Sequence, residues 1–194
     1  MSDYDVPRAP YSYDDDSVGV IQAGRFDFKT LQLIDIRDIA RSLGAQVRYN
    51  GHTHEPYSIA QHSVACARLV RCWGESKLTQ LTALIHDAAE AYCSDIPKPL
   101  RRRMRNEGGV YDEILEEVEE MIAEKYGLPY PYPQAVEDAD AAVYAYERQG
   151  ISKHPYIDIS EVEDPPALVG KTLASYWNAQ RARKEFMEEF VLLS

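Results

Sequence analysis

Apolar residues recur at helical spacing through most of the chain from residue 35 onward. In "DIRDIARSLG", Ile36, Ile39, Ala40 and Leu43 share one face and Gly44 reads as the stop signal. "YSIAQHSVACARLVRCWG" opens on Ser58 as N-cap and closes on Gly74. In "SKLTQLTALIHDAAEAY", Leu78, Leu81, Leu84, Ile85 and Ala88 keep the same period, so the whole stretch reads as one buried helix. "SDIPKPL" is a proline-broken turn. "GGVYDEILEEVEEMIAEKYG" is amphipathic along Val110, Ile114, Leu115, Val118, Met121 and Ile122, with Gly127 at its end. "PQAVEDADAAVYAYERQG" and "KTLASYWNAQRARKEFMEEFVLL" complete the series.

This pattern predicts an all-α protein of five to seven helices. Residues 1–20 carry prolines, tyrosines and an Asp triplet, and read as an extended arm before a single helical domain over 21–194. The alternation in "AGRFDFKTLQL" fits a short strand or hairpin.

Composition narrows the function classes. With 194 residues, 45% hydrophobic and 27% charged, the chain has enough apolar material for one real core. A formal charge of −11 argues against a nucleic-acid or anionic-membrane partner, though a local site can still attract a small anion. The three cysteines, Cys66, Cys72 and Cys93, form no C-x-x-C. An odd count without a signal peptide suggests reduced thiols and a cytoplasmic setting. No apolar run approaches the ~18 residues of a membrane span, and there is no internal repeat.

"TALIHDAAEAY" sets His86, Asp87 and Glu90 among small apolar residues. Buried ionisable groups need a partner, a hydrogen bond or a metal. His62 in "SIAQHSVACA" and Asp140 in "VEDADAAVYAY" have the same kind of surroundings on two further helices. Two imidazoles and two carboxylates suit a divalent transition metal with positions left open for water and substrate. Glu90 lies one helical turn after His86, where a carboxylate could transfer protons without being a ligand. Asp95, in the turn that follows, could orient water or substrate.

The blocks Gln61-His62-Ser63, His86-Asp87-Ala88-Ala89-Glu90, Ser94-Asp95-Ile96-Pro97-Lys98-Pro99 and Ala139-Asp140-Ala141 resemble, in order and spacing, the HD-domain phosphohydrolases. Among these they are most similar to the bacterial 5′-deoxynucleotidases and the related phage dATP triphosphohydrolases. The resemblance covers roughly residues 45–150. It implies an HD-type helical bundle in which His62, His86, Asp87 and Asp140 hold one divalent metal (Co²⁺, Mn²⁺, Zn²⁺ or Mg²⁺). It also implies that Glu90 assists proton transfer, that Asp95 serves the substrate or water site and that Arg101 reaches phosphate. Arg48 and Tyr49 would contact phosphate or sugar and stack on the base, and Lys98 adds to the positive field.

The chain departs from that pattern at Glu137, where a lysine is usual, and at Tyr49, where a tryptophan is. His52 and His54 read as exposed loop histidines, His154 as non-catalytic, and "RRRMR" either as an approach surface for polyphosphate or as a solvated basic face. The expected activity is metal-dependent hydrolysis of a small purine deoxynucleotide, mono- or triphosphate, with dATP or dAMP favoured, by a homo-oligomer. Another HD-type phosphodiesterase, acting on guanosine polyphosphate or a cyclic nucleotide, is the alternative. So is a non-catalytic nucleotide-binding module.

Overall fold

The computed structural model describes residues 34–150 and 164–194. The expected arm, the expected strand or hairpin, and His154 lie outside them. The described residues form an all-α architecture, in which the β pairing is a single bridge between Val47 and Ser58. No helix among them is long and apolar enough to cross a membrane.

Helix α2 (Ile59–Cys72) is the centre of the molecule and packs against α1 (Ile36–Ala45), α3 (Lys77–Ile85), α7 (Gln134–Gly150), α8 (Ala167–Leu173) and α9 (Ala179–Leu193). Its start is fixed by Ser58, whose hydroxyl accepts from the Gln61 N–H at 3.1 Å. Small residues on almost every side let neighbours approach closely, and every residue from Ile59 to Ala67 is buried. Ile59, Ala60, Val64 and Ala67 join a main core with Ile39, Leu43, Leu84, Ile85 and Phe186. Ala65, Cys66, Leu69 and Val70 join a second cluster with Val136, Val143 and Val169. His62 is carried on the helix that feeds both.

Between α3 and α7 come α4 (Glu90–Cys93), α5 (Lys98–Asn106) and α6 (Tyr111–Tyr126). Gly127 ends α6 in the left-handed conformation, φ 64°, as its position in the sequence suggests.

Nine α-helical segments are present among the described residues, more than the five to seven expected, because two expected helices are each broken in two and a further helix, α5, follows the proline-broken turn. The stretch 76–92 is not one helix. His86 Nδ1 donates to the Ala83 carbonyl at 2.8 Å, the acceptor at which a continuing α-helix would bond the Asp87 N–H. The backbone then tightens into three-residue bonds, Ala88 N–H to Ile85 carbonyl at 2.8 Å and Glu90 N–H to Asp87 carbonyl at 3.0 Å. The stretch 171–193 also breaks. The Gln61 side chain donates to the carbonyls of Thr172 and Ser175 at 2.7 and 2.8 Å, and Asn178 restarts the chain as the N-cap of α9.

Gly44 does not end α1, which runs on to Ala45. A Cβ there would lie 3.0 Å from the Ala179 carbonyl oxygen and 3.2 Å from the Arg183 nitrogen. Gly44 therefore lets α1 cross α9 at backbone distance.

Candidate metal centre

Three elements bring polar side chains to one buried place: the middle of α2, the turn after α3 and the first half of α7. His62 is fully buried. Its Nδ1 meets Glu147 Oε1 at 2.6 Å, so this nitrogen is the donor to the carboxylate. Its Nε2 faces the acids, 3.1 Å from Asp140 Oδ1 and 3.5 Å from Asp87 Oδ2, with Cys66 Sγ at 3.4 Å. The His86 ring lies 5.5 Å away between centroids. With Nδ1 donating to Ala83, the other nitrogen, Nε2, presents its lone pair. That Nε2 is buried, has no hydrogen-bond partner and lies 3.2 Å from Asp87 Oδ1. Two acceptors facing each other at that separation call for a cation between them.

Burial and charge oppose one another across the cluster. Burial works against the Asp140 carboxylate, but the His62 hydrogen bond and charge, with His86 and Lys98, hold it far below the ordinary carboxylate range. Burial and Arg48 push the His62 pKa down, and Cys66, Glu147 and Asp140 outweigh them, so it lies well above the ordinary imidazole value. A proton and a metal ion thus compete for Nε2.

Glu90 opens α4 and is pushed well above the usual carboxyl range by burial and then by Asp87 and Asp95. Its Oε2 is buried without a hydrogen-bond partner. Asp95, half-buried just beyond α4, is raised by burial as well. Lys98, at the start of α5, is exposed; its Nζ lies 3.7 Å from Asp140 Oδ2 and 5.2 Å from the Tyr144 ring centre. Arg101 pairs with Asp112 and lies over the Tyr111 ring. The neighbouring basic residues are surface groups: Arg105 also bonds Asp112, and Arg103 bonds Glu107.

Arg48 is buried in the wall of the site. It bridges Asp87 Oδ2 at 3.4 Å and Glu147 Oε2 at 3.3 Å. Tyr49 donates its hydroxyl to Glu147 and stacks on Tyr144 with centroids 6.2 Å apart. Its backbone is left-handed, φ 58°, as is that of Asn50, φ 49°. These contacts hold a conformation that side-chain-bearing residues otherwise avoid. His52 and His54 are exposed in the loop that follows, and Glu137 is exposed in the first turn of α7.

Two members of the cluster escape the sequence reading. Glu147 follows Asp140 by two helical turns, so it falls on the same face of α7; the burial behind His62 has no sequence signal. Cys66 lies one turn after His62 on α2, a spacing that could have flagged it. One donor atom each from His62, Cys66 and His86 lie within 4.8 Å of one another, and this group could hold a metal ion.

The described residues thus form an all-helical structure with a buried histidine–cysteine–histidine group that could hold a metal ion. No family model matches the chain. It is 42% identical over 118 residues to the uncharacterized protein YfdR of Escherichia coli (strain K12), an alignment covering 61% of each chain. It is 30% identical over 127 residues to the uncharacterized protein RCAP_rcc00048 of Rhodobacter capsulatus, covering 61% of this chain and 63% of that one. The chain therefore spans less than two thirds of the length of either relative, and neither name describes an activity.

Proposed function

We propose that this protein is a metal-dependent phosphohydrolase of the HD-domain kind, acting on small deoxynucleotides. The observation that supports it most is the convergence of His62, His86, Asp87 and Asp140 from three elements, with nitrogen–oxygen separations of 3.1 to 3.5 Å. The donors fit a divalent ion: both rings have Nδ1 occupied by an oxygen acceptor, and the His86 Nε2 is left without a partner. His62, His86, Asp87 and Asp140 would hold the ion. When bound, such an ion lowers the pKa of water and polarises a phosphoryl oxygen.

The chain's own groups supply the rest. Burial, then Asp87 and Asp95, raise the Glu90 pKa well above the usual carboxyl value, which suits a group that would hand a proton to a leaving oxygen and recover one from the attacking water. Exposed Lys98 would turn from Asp140 toward a phosphate, where its charge helps offset the negative charge that phosphoryl transfer spreads over the equatorial oxygens. Arg101 would exchange Asp112 for phosphate. Tyr49 and Tyr144 offer stacked aromatic faces for a purine, with Arg48 holding the acids behind them. Asp95 would orient substrate or water. The substrate is a purine deoxynucleoside mono- or triphosphate, and the working form a homo-oligomer.

Incubation of the metal-loaded protein with separate dNMPs and dNTPs, read by chromatography of nucleoside, nucleotide and phosphate products, tests the reading. Release of phosphate or polyphosphate from a purine deoxynucleotide supports it. No turnover of any nucleotide with Mn²⁺, Co²⁺, Zn²⁺ or Mg²⁺ overturns it.

A further inference from the structure

Cys66 belongs to neither the expected ligand set nor the chemistry above, yet it points into the same cluster. Its Sγ is buried, 3.4 Å from His62 Nε2. Around one tetrahedral ion, a sulfur at about 2.3 Å and an imidazole nitrogen at about 2.0–2.1 Å lie about 3.6 Å apart. The observed separation is close to that edge. The second nitrogen aimed into the same space, His86 Nε2, is more than nine-tenths buried and has no hydrogen-bond partner. We infer that Cys66 supplies a thiolate to the metal, so that the site is a mixed sulfur, nitrogen and oxygen centre that prefers Zn²⁺ and Co²⁺ to Mg²⁺ and Mn²⁺. The inference rests on the metal-centre reading and names its ion class.

The physical basis is ligand softness. Two imidazoles and two carboxylates discriminate weakly among divalent ions, whereas a thiolate favours borderline ions and disfavours those that bind oxygen and water. Rigid placement strengthens the effect. His62 and Cys66 are successive turns of one helix, with α3 and α7 packed against it. In the metal-free protein burial pushes the Cys66 thiol up, against His62, which pulls it down. As the sulfur–metal bond forms, the S–H proton leaves to solvent, and no redox partner is needed. The competing account treats Cys66 as a small packing residue of the second core cluster, its thiol merely hydrogen-bonded to His62.

Full-length protein stripped with chelator and titrated with Co²⁺ separates the two accounts. A near-ultraviolet sulfur-to-cobalt charge-transfer band that saturates at one equivalent is expected. It should persist in a Cys72→Ser, Cys93→Ser double variant and vanish in Cys66→Ser. By calorimetry Cys66→Ser should lose Zn²⁺ affinity on the order of tenfold or more, with Mn²⁺ affinity moving much less. Cobalt that binds the unmodified protein without the band, together with unchanged Zn²⁺ affinity in Cys66→Ser, would overturn the inference and leave the metal centre standing. If the unmodified protein binds neither ion, the metal-centre reading falls as well. The band is read on the unmodified chain, so misfolding of a variant cannot hide the answer.

Discussion

Glu147 Oε1 accepts the His62 Nδ1 hydrogen at 2.6 Å, both groups fully out of solvent. The carboxylate fixes which nitrogen of the imidazole carries the proton and turns the other toward Asp87 and Asp140. The same carboxylate holds Arg48 and Tyr49, so one acid orients the site and braces its wall. Burial opposes its charge, but Arg48 and His62 hold its pKa at about 2.

Substituting Glu147→Gln keeps an oxygen acceptor of the same shape and removes the charge. The fold should persist by circular dichroism. Metal affinity should fall roughly tenfold to a hundredfold, the usual cost of losing a partner behind a metal histidine, as isothermal titration calorimetry would measure. Glu147→Leu should also unfold more readily, by about 3–5 kcal/mol, because it leaves buried Arg48 with just one, Asp87, of the two carboxylates it bridges.

Removal of the ion should lower thermal stability. A ligand present at a hundred times its dissociation constant stabilises by about 2.7 kcal/mol, so chelator should depress Tm by several degrees and re-addition should restore it. Asp87→Ala should show neither the metal-dependent Tm nor turnover, while its metal-free Tm stays near that of the chelated parent. An Asp87→Ala variant with full activity would remove the metal from the mechanism.

Glu90→Gln should separate binding from chemistry. The variant should take up metal within a few-fold of the parent by calorimetry. Its kcat should drop by about 10²–10⁴, the range for loss of a positioned general acid or base. Equal losses in metal affinity and kcat would assign Glu90 to the coordination shell instead.

Gly44→Ala should destabilise the fold despite improving helix propensity. Alanine gains about 1 kcal/mol within a helix, but its Cβ would press on the backbone of α9 at 3.0 and 3.2 Å. Overpacking of this kind costs about 1–3 kcal/mol. Urea unfolding should give a lower midpoint, with metal affinity of the folded protein unchanged because Gly44 lies outside the centre.

The regular periodicity of apolar residues, the serine cap at Ser58 and the terminal Gly74 and Gly127 are local signals, and they were enough to define an all-helical protein. That His62, His86, Asp87 and Asp140 lie near one another was expected from ionisable residues among small apolar ones together with the family resemblance. The breaks at 86–89 and 174–178 were not legible. Each depends on a side chain, His86 or Gln61, taking a carbonyl that the helix would otherwise use. The role of Gly44 depends on α9, distant in sequence. Glu147 and Cys66 acquire meaning only when α7 and α2 are packed together, since a carboxylate two turns along a helix reads as an ordinary surface residue until another helix covers it. Local spacing settles which backbone is helical; which side chains share one dry volume is set by the contacts between helices.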